Sequence, residues 1–278
     1  MAPYPRRAVL GKLAAGCGVG LVAGNISLTR PASRRGDHQP RLIAHRGCTD
    51  EAPENTLPAV RRAGRTVDAV EVDVRRAGSG ELVAIHDATV DHVTGASGAV
   101  DALSLEELQS LSVSGTDASI PTLESLFEAV PDSTDFVFEL KTSGLVDDVL
   151  SLADDHPHEV LLSSFDSSIV AAATDAGADT ALVVRETLIG RGFRGVAASD
   201  VPLYPRQPVG DFLETALSLE CRAIHPRLEL CLETDLVARA HENGLLVEPW
   251  TITTADQATD LAAVGVDGLI TDRCTALF

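Results

Sequence analysis

The chain has 278 residues, of which 45% are hydrophobic and 4% aromatic, and this length and composition suit one large α/β domain with its own core. Its formal net charge is −19, and residues 41–278 alone hold 40 Asp and Glu against 16 Lys and Arg. So acidic a surface argues against nucleic acid and anionic membranes as electrostatic partners, and it is typical of a halophilic protein that stays soluble in concentrated salt.

Residues 1–40 differ in composition from the rest and are predicted to be an export leader and linker. Arg6-Arg7 precedes a short apolar run that ends near Ala23. A twin arginine in this position resembles a twin-arginine export signal, so we expect an extracellular or cell-surface protein; a non-functional leader would leave it in the cytoplasm. The apolar run is too short for a secure membrane span. Cys17 and the residues before it loosely resemble a lipoprotein processing box, so lipid attachment at Cys17 is an alternative that would tie the protein to a membrane through the leader. The alternative is a disordered N-terminal extension.

From residue 41 onward, short apolar runs alternate with helical patterns, as in a parallel sheet with crossover helices. Eight such runs are predicted strands: Arg41–Ala44, Ala69–Arg75, Asp135–Leu140, Val160–Ser164, Thr180–Val184, Arg222–His225, Leu245–Pro249 and Gly268–Thr271. A further strand, Glu81–His86, lies in an insertion after strand two, and the clearest helices are Glu54–Arg65 and Thr122–Val130. No secondary structure is assigned to residues 185–210. We predict a (β/α)8 TIM barrel over residues 41–278 with a small insertion after strand two, and a doubly wound open sheet is the alternative.

Strands two and three carry charged side chains on one face. Strand two reads Val70-Glu71-Val72-Asp73-Val74, and because side chains alternate along a strand, the valines share one face and the carboxylates the other. We expect Glu71 and Asp73 to point into the barrel, near its C-terminal mouth. Strand three repeats the pattern with Glu139 and Lys141, the only lysine beyond the leader.

Converging carboxylates repel one another unless a cation lies among them. Oxygen ligands of this kind prefer a hard divalent cation, Mg²⁺ or Ca²⁺, over zinc. The sequence therefore predicts one divalent cation bound by Glu71, Asp73 and Glu139. An inward ion pair between Lys141 and one of the carboxylates is the alternative.

Two histidines end strands near these carboxylates. His45, Arg46 and Gly47 follow strand one, and His86 ends the strand of the insertion. Imidazole titrates near neutral pH, so the two histidines suit an acid–base pair. Arg46 offers a forked donor for a phosphate, and Gly47 permits a sharp turn.

The ordered set of motifs resembles the glycerophosphodiester phosphodiesterase family. The resemblance covers nearly all of residues 41–278 and is carried by His45-Arg46-Gly47, Pro53-Glu54-Asn55-Thr56, Glu71-Val72-Asp73, His86-Asp87, Glu139-Leu140-Lys141, Ser164-Phe165-Asp166, Trp250-Thr251 and Thr271-Asp272. The sequence departs from the family pattern at Thr253, where an Asn is usual, and at His92, where an Arg is common; we expect neither change to reach the metal or the histidines.

The resemblance implies metal-dependent hydrolysis of glycerophosphodiesters to glycerol phosphate and an alcohol. It implies a metal on Glu71, Asp73 and Glu139, an acid–base pair of His45 and His86, and phosphate contacts from Arg46 and Lys141. Trp250 either packs as a core or rim aromatic or stacks on the substrate. We expect His45 to be the base and His86 the acid, but the reverse order fits the sequence equally. A phospholipase D-like lyase or hydrolase on lysolipids and a non-catalytic phosphate-binding surface module are the alternatives, and the oligomeric state cannot be predicted.

Four cysteines lie beyond the leader, and none has the CxxC spacing of a zinc site. Export would permit a disulfide, for which Cys221 and Cys231 are one candidate pair. We expect four buried thiols instead.

Overall fold

The computed structural model describes residues 39–185, 209–275 and 277. Within them nine strands form one sheet: β1 (Arg41–Ala44), β2 (Ala69–Arg76), β3 (Leu82–Ala84), β4 (Asp135–Leu140), β5 (Val160–Ser164), β6 (Asp179–Val183), β7 (Ala223–His225), β8 (Leu246–Val247) and β9 (Gly268–Thr271). The predicted leader lies outside the described residues, as does most of the unassigned stretch 185–210. None of the described helices is long and apolar enough to cross a bilayer.

The sheet curls into a nearly closed parallel barrel. Its strands follow the order β8-β7-β6-β5-β4-β2-β1-β9, and β3 alone runs antiparallel, beside β2. The two ends of this order, β8 and β9, are joined through the residues that follow β8. The amide of Ile270 in β9 donates to Pro249 O at 3.0 Å, and the amide of Ile252 donates to Ile270 O at 2.9 Å. The predicted TIM barrel is confirmed, and the open sheet is wrong.

Alternation along the strands separates the barrel interior from its outer shell. Each of the eight barrel strands contributes one residue to a single interior apolar cluster: Ile43, Ala69, Val137, Leu161, Ala181, Ala223, Leu246 and Ile270. Val70, Val72 and Val74 of β2 belong instead to a cluster that includes residues of the surrounding helices. The valines of β2 therefore face outward, and its two carboxylates point into the barrel.

Helices connect the strands on the outside of the barrel. In the described residues they are α1 (Leu57–Ala63), α2 (Leu105–Gln109), α3 (Leu123–Phe127), α4 (Val146–Ala153), α5 (Ser167–Asp175), α6 (Val209–Ser218), α7 (Leu228–Glu233), α8 (Leu236–Glu242) and α9 (Ala255–Val264). The first helix begins three residues later than predicted because Asn55 has a left-handed backbone, with φ of 55°. Thr56 then caps the helix by accepting the amide of Ala59.

The insertion between β2 and α3 has its own small core. Val83, Ile85, Val90, Leu108 and Ile120 are among its buried members. No helix was predicted here before Thr122, yet α2 forms, because Ser104 and Glu107 make a reciprocal capping box at its start. The insertion holds β3 against β2 and thereby places the segment that contains His86.

The expectation of four buried thiols is wrong, and so is the pairing of Cys221 with Cys231. Cys48 and Cys274 form a disulfide with a Cα–Cα distance of 5.9 Å, whereas Cys221 and Cys231 are free and buried. The Cys48–Cys274 disulfide could not be predicted from local sequence, because it depends on β1 and β9 lying side by side, with Ala44 opposite Thr271. The loops that follow these two strands then meet.

Candidate active site at the mouth of the barrel

A cavity of about 120 Å³ opens at the C-terminal mouth of the barrel. It is lined by groups from most of the barrel strands and their following loops: His45, Arg46, Glu71, His86, Glu139, Lys141, Ser163, Phe165, Val183, Arg185, His225, Trp250 and Ile270. Seven of the eight predicted site residues are in this set. The eighth, Asp73, is buried and contacts Lys141, a member of the lining. The fold thus brings all the predicted site residues together, although their roles stay predictions.

Three carboxylates converge at the bottom of the cavity. The parallel register of β2 and β4 sets Asp73 beside Glu139, and Glu71 lies two residues earlier on the same face. One oxygen from each of Glu71, Asp73 and Glu139 lies within 4.8 Å of the others. Glu71 Oε2 accepts the amide of Arg46 at 2.9 Å, while the buried Oε1 has no hydrogen-bond partner in the described part of the chain. An all-oxygen set with an unpaired buried oxygen fits a hard divalent cation.

The environment separates the pKa values of the two buried carboxylates. Burial and the nearby charge of Asp73 raise the pKa of Glu71 above its ordinary value. Burial also acts to raise the pKa of Asp73, but the charges of Lys141 and Arg46 outweigh burial and lower it. Of these two carboxylates, Glu71 is the one whose negative charge is less compensated by protein groups, so it would gain more from a cation.

Cationic side chains occupy part of this acidic centre. Lys141 Nζ lies 2.7 Å from Asp73 Oδ1 and also bonds Glu139. Arg46 Nη1 donates to both oxygens of Glu54 at 3.1 and 3.2 Å, and Arg46 Nε lies 3.0 Å from Asp73 Oδ2 at an angle that is poor for a hydrogen bond. The inward ion pair foreseen for Lys141 is therefore present, alongside a carboxylate set that could still hold a cation.

Asn55 does more than precede the first helix, because it holds Asp73 in the acidic centre. Its Nδ2 donates to Asp73 Oδ2 at 2.8 Å, and its Oδ1 accepts the amide of Asp73 at 3.1 Å. Asn55 therefore fixes both the backbone and the side chain of Asp73, while its neighbour Thr56 caps α1 and donates to Pro53 O. The left-handed backbone of Asn55 is what turns its amide group toward β2.

Each of the two predicted catalytic histidines is oriented by a carboxylate. His45 Nδ1 lies 2.7 Å from Asp272 Oδ1, and His86 Nδ1 lies 2.6 Å from Asp87 Oδ1. A carboxylate at Nδ1 favours the Nδ1–H tautomer and leaves Nε2 available for a substrate. Burial acts to lower the pKa of His45, but the hydrogen bond to Asp272 and the charge of Glu71 outweigh burial and raise it.

The turn that presents His45 depends on glycine. Gly47 has φ of +82°, and a Cβ at this position would lie 2.8 Å from Ala59 Cβ, so a larger residue is excluded by both backbone and space. Its neighbours Arg46 and Cys48 are also left-handed, with φ of 50° and 73°. Three consecutive left-handed residues reverse the chain sharply after β1 and aim Arg46 N at Glu71.

A buried polar group lies beside Trp250, one of the residues that line the cavity. His225 Nε2 lies 2.9 Å from Glu248 Oε2, and Arg41 Nε donates to Glu248 Oε1 at 2.7 Å. His225 O accepts the indole N–H of Trp250 at 3.0 Å. Trp250 is thereby anchored at the cavity rim, and Glu248 ties β1, β7 and β8 together across the barrel interior.

The fold and this cavity define a TIM-barrel protein with an acidic, cation-compatible centre flanked by two carboxylate-oriented histidines. The sequence model of the glycerophosphoryl diester phosphodiesterase family matches residues 45–276, and the chain belongs to this family. The predicted family and the predicted enzyme class, a phosphoric diester hydrolase, are therefore confirmed.

One sequence relative and two solved structures of the same fold are similar to this chain. A glycerophosphodiester phosphodiesterase of Caldanaerobacter subterraneus subsp. tengcongensis is 29% identical over 248 residues, which cover 83% of this chain and 93% of the relative. The crystal structure of a glycerophosphodiester phosphodiesterase from Thermotoga maritima matches with a TM-score of 0.70 at 23% identity, over 85% of this chain and 96% of that one. An Oleispira antarctica phosphodiesterase, solved with its product sn-glycerol-3-phosphate, matches with a TM-score of 0.69 at 24% identity, over 85% and 94%.

Several groups in or beside the cavity were not predicted as site residues. Asp272 and Asp87 orient the histidines, and the unpredicted lining residues are Ser163, Phe165, Val183, Arg185, His225 and Ile270. Asp87 and Asp272 had a detectable signal, because each is a carboxylate immediately after a strand or histidine at the barrel mouth. His92, the departure from the family pattern, lies with its Nδ1 3.8 Å from Asp87 and thus reaches the histidine pair indirectly.

Proposed function

We propose that the cavity hydrolyses glycerophosphodiesters to glycerol phosphate and an alcohol. One divalent cation, Mg²⁺ or Ca²⁺, would be held by Glu71, Asp73 and Glu139, and His45 and His86 would be the acid–base pair. Membership of the family supports the reaction class. The product named for the Oleispira antarctica relative, sn-glycerol-3-phosphate, supports a glycerol phosphate product here.

The observation that carries the proposal is the pairing of both histidines with carboxylates in one cavity. His45 and His86 line the same cavity as Glu71, and each has an Asp at Nδ1. One imidazole can then accept a proton from the nucleophile at Nε2 while the other donates a proton to the departing alcohol oxygen. Asp272 and Asp87 would stabilise whichever imidazole becomes protonated.

The remaining groups prepare the anionic phosphodiester for attack. When bound, the cation would neutralise phosphoryl charge and act as a Lewis acid. Arg46 and Lys141 line the cavity with positive charge, and their contacts to Glu54, Asp73 and Glu139 hold them in place before substrate arrives. Preorganised donors of this kind stabilise developing negative charge without the cost of reorganisation.

We also propose that the protein is exported, through the leader that begins with Arg6-Arg7. The Cys48–Cys274 disulfide supports this location, because disulfides persist outside the reducing cytosol. Fusion of residues 1–40 to a reporter that is active only after export should give a signal that Arg6→Lys with Arg7→Lys abolishes. An unchanged signal in that double variant would contradict the proposed twin-arginine route.

The metal centre is tested by binding and turnover measured on the same variants. Glu71→Gln and Glu139→Gln should each lower turnover of glycerophosphodiesters by at least about 10²-fold, since the cation supplies several kcal/mol of charge stabilisation. Calorimetric titration with Mg²⁺ or Ca²⁺ should show weakened binding in both. Glu106→Gln, on the exposed face of α2, is the matched control and should change neither quantity. Near-normal turnover of Glu71→Gln in the presence of chelator would disprove the metal assignment.

The histidine roles are separated by the leaving group. His45→Ala and His86→Ala should each lower turnover by about 10²- to 10⁴-fold. A diester with a strongly acidic leaving group, such as a nitrophenol, needs no proton from the acid, so it should rescue only the variant that lacks the acid. We expect that variant to be His86→Ala. Equal rescue of both variants, or of neither, would leave the two roles unassigned and contradict our assignment.

A further inference from the structure

One wall of the cavity is aromatic and carries cations on its ring faces. Phe165 and Trp250 meet edge to face, with ring centroids 5.6 Å apart. The guanidinium carbon of Arg185 lies 4.2 Å from the Phe165 centroid, and that of Arg227 lies 5.2 Å from the Trp250 centroid. Stacking on aromatic rings holds a guanidinium in a fixed plane and position. The wall is therefore a positively charged surface with limited freedom to move.

The two arginines differ in how far their charge is compensated. Arg227 Nη2 lies 3.4 Å from Glu229 Oε1, so part of its charge is neutralised. Arg185 is exposed and lines the cavity, and among residues 39–185 and 209–275 no carboxylate forms an ion pair with it. Arg185 therefore adds a positive charge to the cavity lining of a chain whose net charge is −19. It is placed to meet a negative group on an incoming molecule.

A cationic alcohol group finds no suitable contact on this wall. A quaternary ammonium binds proteins through the faces of aromatic rings, and here Arg185 lies over one face of Phe165 and Arg227 over one face of Trp250. On these faces a choline-like group would have to displace an arginine, and anywhere on this wall it would meet the repulsion of both guanidinium charges. The wall is thus suited to an anionic substituent and unsuited to a quaternary ammonium.

We infer that Arg185 selects glycerophosphodiesters whose alcohol portion carries an additional negative group, such as a carboxylate or a phosphate. The inference rests on the proposed function and adds the substrate class to it. A contact between exposed charges contributes at most about 1 kcal/mol, so the expected preference is roughly two- to five-fold in kcat/KM. It should shrink as salt increases, because the rim is open to solvent.

Two substrates that differ by one carboxylate test the inference. Glycerophosphoserine carries one carboxylate more than glycerophosphoethanolamine and is otherwise the same. The ratio of kcat/KM for the serine diester to that for the ethanolamine diester should be well above one in the wild-type protein at low salt. Arg185→Gln should bring the ratio close to one, whereas Arg185→Lys should keep part of the preference because it keeps the charge.

Arg65→Gln is the matched control, because Arg65 is an exposed arginine that follows α1 and lies outside the cavity lining. It should leave the wild-type ratio unchanged. Turnover of both diesters without preference in the wild type, or a preference that survives in Arg185→Gln, overturns the inference and leaves the proposed function standing. Absence of turnover with any glycerophosphodiester overturns both.

Discussion

The contact between Asp272 and His45 gives the most specific expectation about catalysis. Asp272→Asn removes the negative charge 2.7 Å from His45 Nδ1 and keeps the size of the side chain. Hydrogen bonds to charged groups contribute about 1.5–3 kcal/mol. If His45 becomes an imidazolium in the transition state, loss of that contribution corresponds to a fall of roughly 10- to 150-fold in kcat/KM.

The same substitution should move the pH profile in a defined direction. Asp272 contributes to raising the pKa of His45, so Asp272→Asn should lower that pKa. The limb of the kcat/KM profile that reports His45 should then shift to lower pH, whether His45 is base or acid. Steady-state kinetics with a glycerophosphodiester, followed from mildly acidic to mildly alkaline pH, measures both the fall and the shift.

A second aspartate and a surface aspartate provide comparisons. Asp87→Asn should have the smaller effect, because the side chain of Asp87 is 40% exposed against 19% for Asp272, and solvent screens its charge. Asp260→Asn, on the exposed face of α9, should change neither kinetics nor pH profile. A wild-type rate and an unshifted profile in Asp272→Asn would refute the reasoning that Asp272 sets the state of His45.

Three further expectations concern stability. The double substitution Cys48→Ser with Cys274→Ser removes a disulfide between residues 226 positions apart in sequence. The free energy of unfolding measured in urea should then fall by up to about 5 kcal/mol, and an unchanged value would argue against the disulfide. The hydrogen bond to Asp267 raises the pKa of His241, so this pair stabilises the fold fully below about pH 6.5 and loses its effect as pH rises through the raised value. His241→Gln should therefore be less stable than wild type by under about 1 kcal/mol near pH 5.5 and equal to it near pH 9, and a pH-independent difference would contradict this. The charge of residues 41–278 should make the melting temperature rise between millimolar and molar KCl, and a constant value would count against a halophilic origin.

Local sequence was enough to predict the strands and the direction of the charged side chains. Glu71 and Asp73 alternate with valines and so share one face of β2, and the packing of the valines against the helices makes that face the inner one. The C-terminal ends of parallel strands meet at one edge of the barrel. The positions of His45 and Glu139 at such strand ends therefore predict that both lie near Glu71 and Asp73.

The missing parts of the site depend on long-range pairing or on individual backbone angles. Asp272 reaches His45 across 227 positions of sequence because β9 lies beside β1, and the same pairing joins Cys48 to Cys274. Asn55 reaches Asp73 through a left-handed backbone that no hydrophobic pattern reveals. Contacts of this kind carry no periodic signal in the sequence.

The central claim is that the cavity hydrolyses a glycerophosphodiester with the help of a divalent cation. The most direct test follows the phosphorus NMR spectrum of a glycerophosphodiester incubated with the full chain in ¹⁸O-labelled water, with Mg²⁺ or Ca²⁺ and then with excess chelator. We predict glycerol phosphate that contains one solvent oxygen in the presence of the cation, and no product in the presence of chelator. A cyclic phosphate as the final product, or equal turnover with chelator, would contradict the claim.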